Sequence, residues 1–155
     1  MGHRQEVAYD ERNLPEIVTR GLGAGALAAP IVETLVDDAE RQLRIWIDGR
    51  GKQWEQLYDG YARPAEQRDP LGNASQTQYD ANGNPVNQRL LDSAGELLAR
   101  GGATYDSLDR RRKAIQYLWN PEDTLSVPRP LETQFACDRA GNVRTVTDAL
   151  GRTLL

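Results

Sequence analysis

The chain has 155 residues, a formal net charge of −4, one cysteine and one histidine. This length suits one domain, and leucine, isoleucine, valine and phenylalanine make up only about a fifth of it, so we expect a thin core. Interleaved acids and bases argue against a nucleic-acid partner, and neither an apolar run of membrane-spanning length nor a signal-peptide pattern is present. With only Cys137 and His3 available, we expect no internal disulfide, no histidine-based catalytic triad and no cofactor.

A short unit recurs along the chain: an aspartate, then glycine or a substitute three residues later, then usually Arg, Asn or Lys. It begins at Asp37, Asp48, Asp59, Asp69, Asp80, Asp92, Asp106, Asp138 and Asp148, and most intervals are 10 to 12 residues. An aspartate carboxylate accepts a hydrogen bond from the N–H two residues on, and glycine adopts positive φ without strain, so each unit predicts a tight turn. The segments between turns have strand length, which predicts an all-β fold of antiparallel β-hairpin repeats in a curled meander sheet.

The sequence up to residue 106 is predicted to contain two segments. Residues 1–30 predict a degenerate first repeat followed by a flexible Gly/Ala connection, and residues 31–106 predict the main series of hairpin repeats. Residues 30–43 also fit a short helix, with Pro30 at its first position. We prefer strands there because Asp37 keeps the repeat register and Leu43, Ile45 and Ile47 alternate.

The period lapses over residues 107–132, which predict a loop or an inserted hairpin, and it resumes in further repeats over residues 133–155. Two turns also depart from the pattern, since Glu40 and Asp109 stand where glycine is expected after Asp37 and Asp106. We expect those two turns to be looser or of another type.

Tyrosine precedes the turn aspartate at Tyr58, Tyr79 and Tyr105, and the best copy of the unit reads QYDANGNPV over residues 78–86. Residues 68–84 and 137–152 each contain two consecutive half-repeats. This pattern resembles the YD-repeat, or Rhs, family. The residues that carry the repeat most clearly are Tyr79, Asp80, Gly83, Asp92, Gly95, Asp138, Gly141, Asp148 and Gly151.

The resemblance implies a structural role. Similar proteins include bacterial Rhs effectors, the C components of Tc toxins and the teneurins, whose hairpin arrays form a hollow β-shell that, in the bacterial members, encloses a toxic polypeptide. It implies a non-enzymatic shell segment, exported by a bacterial toxin-delivery system. Its expected partners are further repeats of the same or a companion shell protein and the toxin cargo, and free sheet edges also favour self-association.

The aromatic residues Trp46, Trp54, Tyr58 and Tyr61 support an alternative, in which the chain is a carbohydrate- or cell-surface-binding module. Aromatic rings stack on sugars, although cross-strand packing is the simpler interpretation of this cluster. A calcium loop at Asp80 is not favoured, because Leu91 stands where an EF-hand needs glutamate, and we predict no metal site.

Overall fold

The computed structural model describes residues 4–21, 30–118 and 129–154, and every regular element in them is a β-strand. The chain divides into two compact units, Met1–Gly72 and Asn73–Leu155. The first unit contains β1 (Gln5–Tyr9), β2 (Pro15–Arg20), β3 (Ile31–Asp37), β4 (Leu43–Ile47), β5 (Gln53–Tyr58) and β6 (Pro64–Arg68). The second contains β7 (Ala74–Tyr79), β8 (Pro85–Leu91), β9 (Leu97–Tyr105), β10 (Arg111–Leu118), β11 (Arg129–Cys137), β12 (Val143–Thr147) and β13 (Thr153–Leu154).

Within each unit, every strand pairs antiparallel with the strand that follows it in the sequence. The predicted meander of antiparallel hairpins is therefore confirmed. None of the described residues forms a helix that is long and apolar enough to cross a membrane.

The alternative of a helix over residues 30–43 is wrong. Ile31–Asp37 and Leu43–Ile47 are strands β3 and β4, which pair antiparallel. The β-branched residues Ile31, Val32 and Thr34 favour the pleated strand, where a branched side chain packs without crowding a preceding helical turn. The repeat register also differs by one residue, because the β3–β4 turn begins at Asp38 and places Arg41, instead of Glu40, at the position of the turn glycine.

The segment with the lapsed period contains strand residues at both ends. β10 and β11 pair antiparallel from Lys113 with Gln134 to Leu118 with Arg129. Residues 119–128, which include Asn120 and Pro121, lie outside the described residues, as do residues 22–29 of the Gly/Ala connection.

The turns share one backbone geometry. At Asp80, the aspartate N–H donates to the Asn84 carbonyl at 2.9 Å, and the Gly83 N–H donates to the Asp80 carbonyl at 3.1 Å. Gly83 has a φ of 92°, in the left-handed region. This is a three-residue hairpin loop, in which a tight turn is followed by one left-handed residue that matches the twist of the flanking strands.

Among the described turns, four place a residue other than glycine in the left-handed position: Asn13, Arg41, Ala62 and Asp109, with φ between 57° and 65°. We expected a looser turn or another type after Asp106, and this expectation is wrong. The Asp109 N–H donates to the Asp106 carbonyl at 3.0 Å, the same distance as from Gly95 to Asp92. The surrounding hydrogen bonds impose the conformation, so a side chain at this position is tolerated at some conformational cost.

The described residues bury few apolar side chains. Only Val18, Ala74 and Ala103 are buried, and none of the larger side chains is fully buried. In the first unit, strand register places a run of β-branched residues on one side of the sheet, which we call the β-branched face: Ile17, Val32, Thr34, Val36, Ile45 and Ile47. Ile17, Val32 and Val36 remain exposed on it, Val36 at 43%.

The left-handed position offers a direct test of the turn geometry. We expect Ala62→Gly to raise the free energy of unfolding by about 1 kcal/mol, because glycine removes the Cβ strain at positive φ. The converse change Gly51→Ala, at φ 73° with no atom within 4 Å of the added Cβ, should lower it by a similar amount. Urea unfolding followed by circular dichroism measures both, and equal midpoints for all three proteins would contradict the turn assignment.

Candidate functional site

The turns fall into two series. First-series turns follow odd-numbered strands and begin at Asp10, Asp38, Asp59, Asp80, Asp106 and Asp138; second-series turns follow even-numbered strands and begin at Asp48, Asp69, Asp92 and Asp148. In an antiparallel meander, alternate turns lie at the same end of the strands, so the turns of one series are neighbours within each unit. The predicted repeat residues lie at these positions: Tyr79, Asp80, Gly83, Asp138 and Gly141 in the first series, and Asp92, Gly95, Asp148 and Gly151 in the second.

In several turns, the aspartate that opens the turn uses its two carboxylate oxygens differently. In the turn at Asp106, Oδ1 accepts hydrogen bonds from the N–H groups of Leu108 and Arg110, both at 3.0 Å. Oδ2 accepts from Nε of Arg110 at 2.8 Å. One oxygen therefore holds the loop backbone, and the other pairs with the basic or amide residue at the end of the turn, as it also does at Asp59, Asp80, Asp138 and Asp148.

This hydrogen bonding stabilises the ionised carboxylates. The side-chain hydrogen bond from Arg110, together with the N–H groups of Arg110 and Leu108, lowers the pKa of Asp106 to about 2. Hydrogen bonds to the carboxylates also lower the pKa values of Asp10, Asp48, Asp59, Asp80, Asp138 and Asp148. These seven turn carboxylates therefore stay ionised throughout the physiological pH range.

The tyrosine before a first-series aspartate links its turn to the preceding one. The Tyr58 hydroxyl donates to the Leu43 carbonyl at 2.9 Å, and the Tyr105 hydroxyl donates to the Pro85 carbonyl at 3.2 Å. Each acceptor is the first residue after the preceding first-series turn. Burial, followed by the negative charge of Asp38, raises the pKa of Tyr58 and keeps its hydroxyl protonated as a donor.

The strands beside the first-series turns share an irregularity, a one-residue shift in their pairing. In each first-series hairpin, pairing skips one residue just after the turn, so that Leu57 pairs with Glu66 while Tyr58 pairs with Pro64. Such a bulge bends and twists the strand locally, and it is a position where proline is tolerated. Tyr79 likewise pairs with Pro85. Cys137, which has no phenolic hydroxyl, occupies the tyrosine position before Asp138.

Other side chains join neighbouring turns directly. An Arg12 guanidinium nitrogen donates to the Asp38 carbonyl at 2.6 Å, and one of Arg110 donates to the Asp138 carbonyl at 2.9 Å. Asp109 Oδ1 accepts from the amides of Asn82 and Asn84, at 2.8 and 2.7 Å. We call these contacts and the tyrosine hydrogen bonds the turn ladder.

Sequence reasoning identified the residues of the turns but missed the ladder. The signal that could have revealed it is the basic or amide residue next to the glycine position, because such side chains are long enough to reach a neighbouring turn, as those of Arg12, Asn82, Asn84 and Arg110 do. The aspartate that replaces glycine at Asp109 is a second signal, because its carboxylate serves the neighbouring turn.

The structure brings three of the four candidate aromatic residues together. Trp46 and Trp54 lie opposite each other on β4 and β5, with ring centroids 6.1 Å apart and planes inclined at 22°. With Tyr58 they line a groove of about 130 Å³, which Arg44, Glu55, Gln56 and Gln67 also border. Tyr61 does not belong to it: Tyr61 lies in the Asp59 turn, 81% exposed, with the Arg63 guanidinium 5.0 Å from its ring centroid.

The remaining candidate chemistry has no assembled site in the described part of the chain. No group of three or more His, Cys, Asp and Glu side chains that could hold a metal ion occurs among residues 4–21, 30–118 and 129–154. Residues 110–113 are four consecutive basic residues, of which Arg110 belongs to the turn ladder and Lys113 pairs with Glu132 at 2.9 Å. Cys137 is a free, half-buried cysteine.

Comparison with known proteins identifies the fold. No family model and no curated protein matches the chain. Among solved structures, it is similar to a chain in the crystal structure of TcdB2-TccC3-Cdc42, at 20% identity and a TM-score of 0.72 over 95% of this chain. It is also similar to chains in TcdB2-TccC3 without its hypervariable C-terminal region (18%, 0.73, 98%) and in the Tc holotoxin pore of Photorhabdus luminescens (19%, 0.71, 95%). This chain spans 8% of each of those chains and shares the fold of that segment.

The tyrosine of the ladder can be tested with a matched pair of variants. We expect Tyr58→Phe to lower the free energy of unfolding by about 1 kcal/mol, because it removes the donor to the Leu43 carbonyl. Tyr61→Phe is the control, since its hydroxyl makes no hydrogen bond among the described residues. Thermal unfolding compares them, and an equal effect of both substitutions would contradict a specific role for Tyr58.

The turn carboxylates predict a loss of stability in acid. Because folding lowers their pKa values below the ordinary 3.8, their contribution is complete above that pH and disappears as the pH falls through the folded value, about 2 for Asp106. We therefore expect the unfolding midpoint to fall between about pH 4 and pH 2. Asp106→Asn, which lacks the ionisable proton, should show a smaller fall, and a pH-independent midpoint for the unsubstituted chain would contradict the prediction.

Proposed function

We propose that the chain is a non-enzymatic structural segment of an Rhs/YD-type toxin shell, which encloses or presents a polypeptide toxin. The observation that carries the proposal is the fold: 95% of the chain matches 8% of a much longer TcdB2-TccC3 chain. A segment in which each strand pairs with its sequence neighbours can be extended by further hairpins without a new architecture.

The thin core supports this role. With three buried apolar side chains among the described residues, the sheet has little interior of its own. The β-branched face leaves Ile17, Val32 and Val36 exposed, and exposed apolar surface of this kind is typical of contact sites for other protein. The partners that fit are further repeats of the same or a companion shell protein and the toxin polypeptide.

The proposed setting follows from the same likeness. Structures with this fold include a Tc holotoxin pore from Photorhabdus luminescens, a bacterial toxin assembly. This likeness supports our proposal that the chain is an exported component of a bacterial toxin. Its residues favour packing over catalysis, because the turn aspartates are committed to backbone and side-chain hydrogen bonds.

The packing role is tested with the isolated chain. We expect it to bind an apolar fluorescent dye and to self-associate with rising concentration, measured by light scattering on a sizing column. Val36→Lys should reduce both signals because it places a charge on the β-branched face. Gln67→Lys adds the same charge at an exposed polar position on the other side of the sheet, which register assigns to Trp46, Trp54 and Gln67, and should leave both signals unchanged. A discrete monomer without dye binding would contradict the role, because the faces would then need no further protein.

A further inference from the structure

We infer that the groove between β4 and β5 is a binding site for an uncharged hexose-containing glycan. This goes beyond the shell role, which requires nothing at this groove except packing. The paired indoles of Trp46 and Trp54 line this groove, and their ring centroids lie 6.1 Å apart. Trp46 keeps 36% of its surface exposed although it is paired with another indole. An apolar ring with an open face is what the C–H face of a pyranose requires.

The polar side chains around the indoles supply the second half of a sugar site. Arg44 and Gln67 border the groove, and their side chains make no hydrogen bond with any described residue. The indole N–H groups of Trp46 and Trp54 also have no partner in the described part of the chain. Two polar side chains and the N–H groups of the two indoles therefore offer free donors around one aromatic surface, which matches the hydroxyl groups at the edge of a sugar ring.

The groove is fixed before any ligand binds. The Tyr58 hydroxyl donates to the Leu43 carbonyl, and the Gln56 amide donates to the Glu66 carbonyl at 3.1 Å. Both side chains border the groove and are held by the backbone of neighbouring strands. A site that is already ordered loses little conformational entropy on binding, which suits a weakly interacting ligand such as a sugar.

Charge and size select the ligand. Arg44 and Glu55 bring one positive and one negative charge to the groove, which gives no net attraction for an anionic sugar. The groove volume of about 130 Å³ is on the scale of a single sugar ring. Half of the eight residues that line it carry charged or amide side chains, which disfavours an apolar peptide as the occupant.

The test is calorimetric titration of the full chain with uncharged oligosaccharides of glucose, galactose and N-acetylglucosamine, with sialyllactose and a hydrophobic peptide as competing probes. We expect saturable binding of at least one uncharged oligosaccharide. Trp46→Ala should weaken it tenfold or more, and Gln67→Ala by about fivefold through the loss of one hydrogen bond. Tyr61→Ala, an exposed aromatic residue outside the groove, should leave the affinity unchanged.

Three results would overturn the inference: no saturable binding of any uncharged sugar, unchanged affinity in Trp46→Ala, or tighter binding of sialyllactose or of the peptide. Trp46→Phe retains an aromatic ring, and its thermal midpoint shows whether the fold survives the loss of the indole. Gln67 lies away from the β-branched face, so Gln67→Ala should leave dye binding and association unchanged. Failure of sugar binding and failure of the packing role are therefore separate results.

Discussion

The structure depends on one carboxylate oxygen that accepts two backbone N–H groups, as it does in eight of the described turns. At Asp48, Oδ1 accepts from Arg50 and Lys52, both at 2.9 Å, and this fixes a three-residue loop without help from a core. Strand register is then set by the turn, since the first paired residues on either side are defined by it. A chain with so few buried apolar side chains needs its order to come from such local hydrogen bonds.

The turn ladder extends this local order from one hairpin to the next. A tyrosine hydroxyl or an arginine guanidinium donates a hydrogen bond to a carbonyl in or just after the neighbouring turn. Each such hydrogen bond fixes the position of one hairpin relative to the next. The coupling is between nearest neighbours, as in other repeat proteins. It also accounts for the chemistry of the motif: aspartate shapes the turn, while tyrosine and arginine connect turns.

The sequence was sufficient for the strands and the turn chemistry, because alternation and aspartate spacing are local signals. It was insufficient at Asp37 and Asp38, where two adjacent aspartates fit the motif equally well and only the pairing of β3 with β4 decides between them. Contacts between turns could not be predicted from local signals either, since the hydrogen bond between Asp109 and Asn82 joins residues 27 positions apart in the sequence. The aromatic cluster was partly predicted: Trp46 and Trp54 face each other through register, whereas Tyr61 belongs to a loop whose direction the alternation rule does not describe.

The division into two series of turns restricts how a chain of this kind can grow. Tyr58 and Tyr105 reach a neighbouring carbonyl because both belong to first-series turns. Insertion of a single strand would move every later tyrosine to the opposite end of the sheet, beside the second-series turns. The residues that precede the aspartates of those turns are not tyrosines: they are Ile47, Arg68, Leu91 and Thr147. Two strands restore the alternation, and the first-series turns at Asp38, Asp59 and Asp80 are indeed 21 residues apart. The smallest change in length that preserves the ladder is thus a whole hairpin.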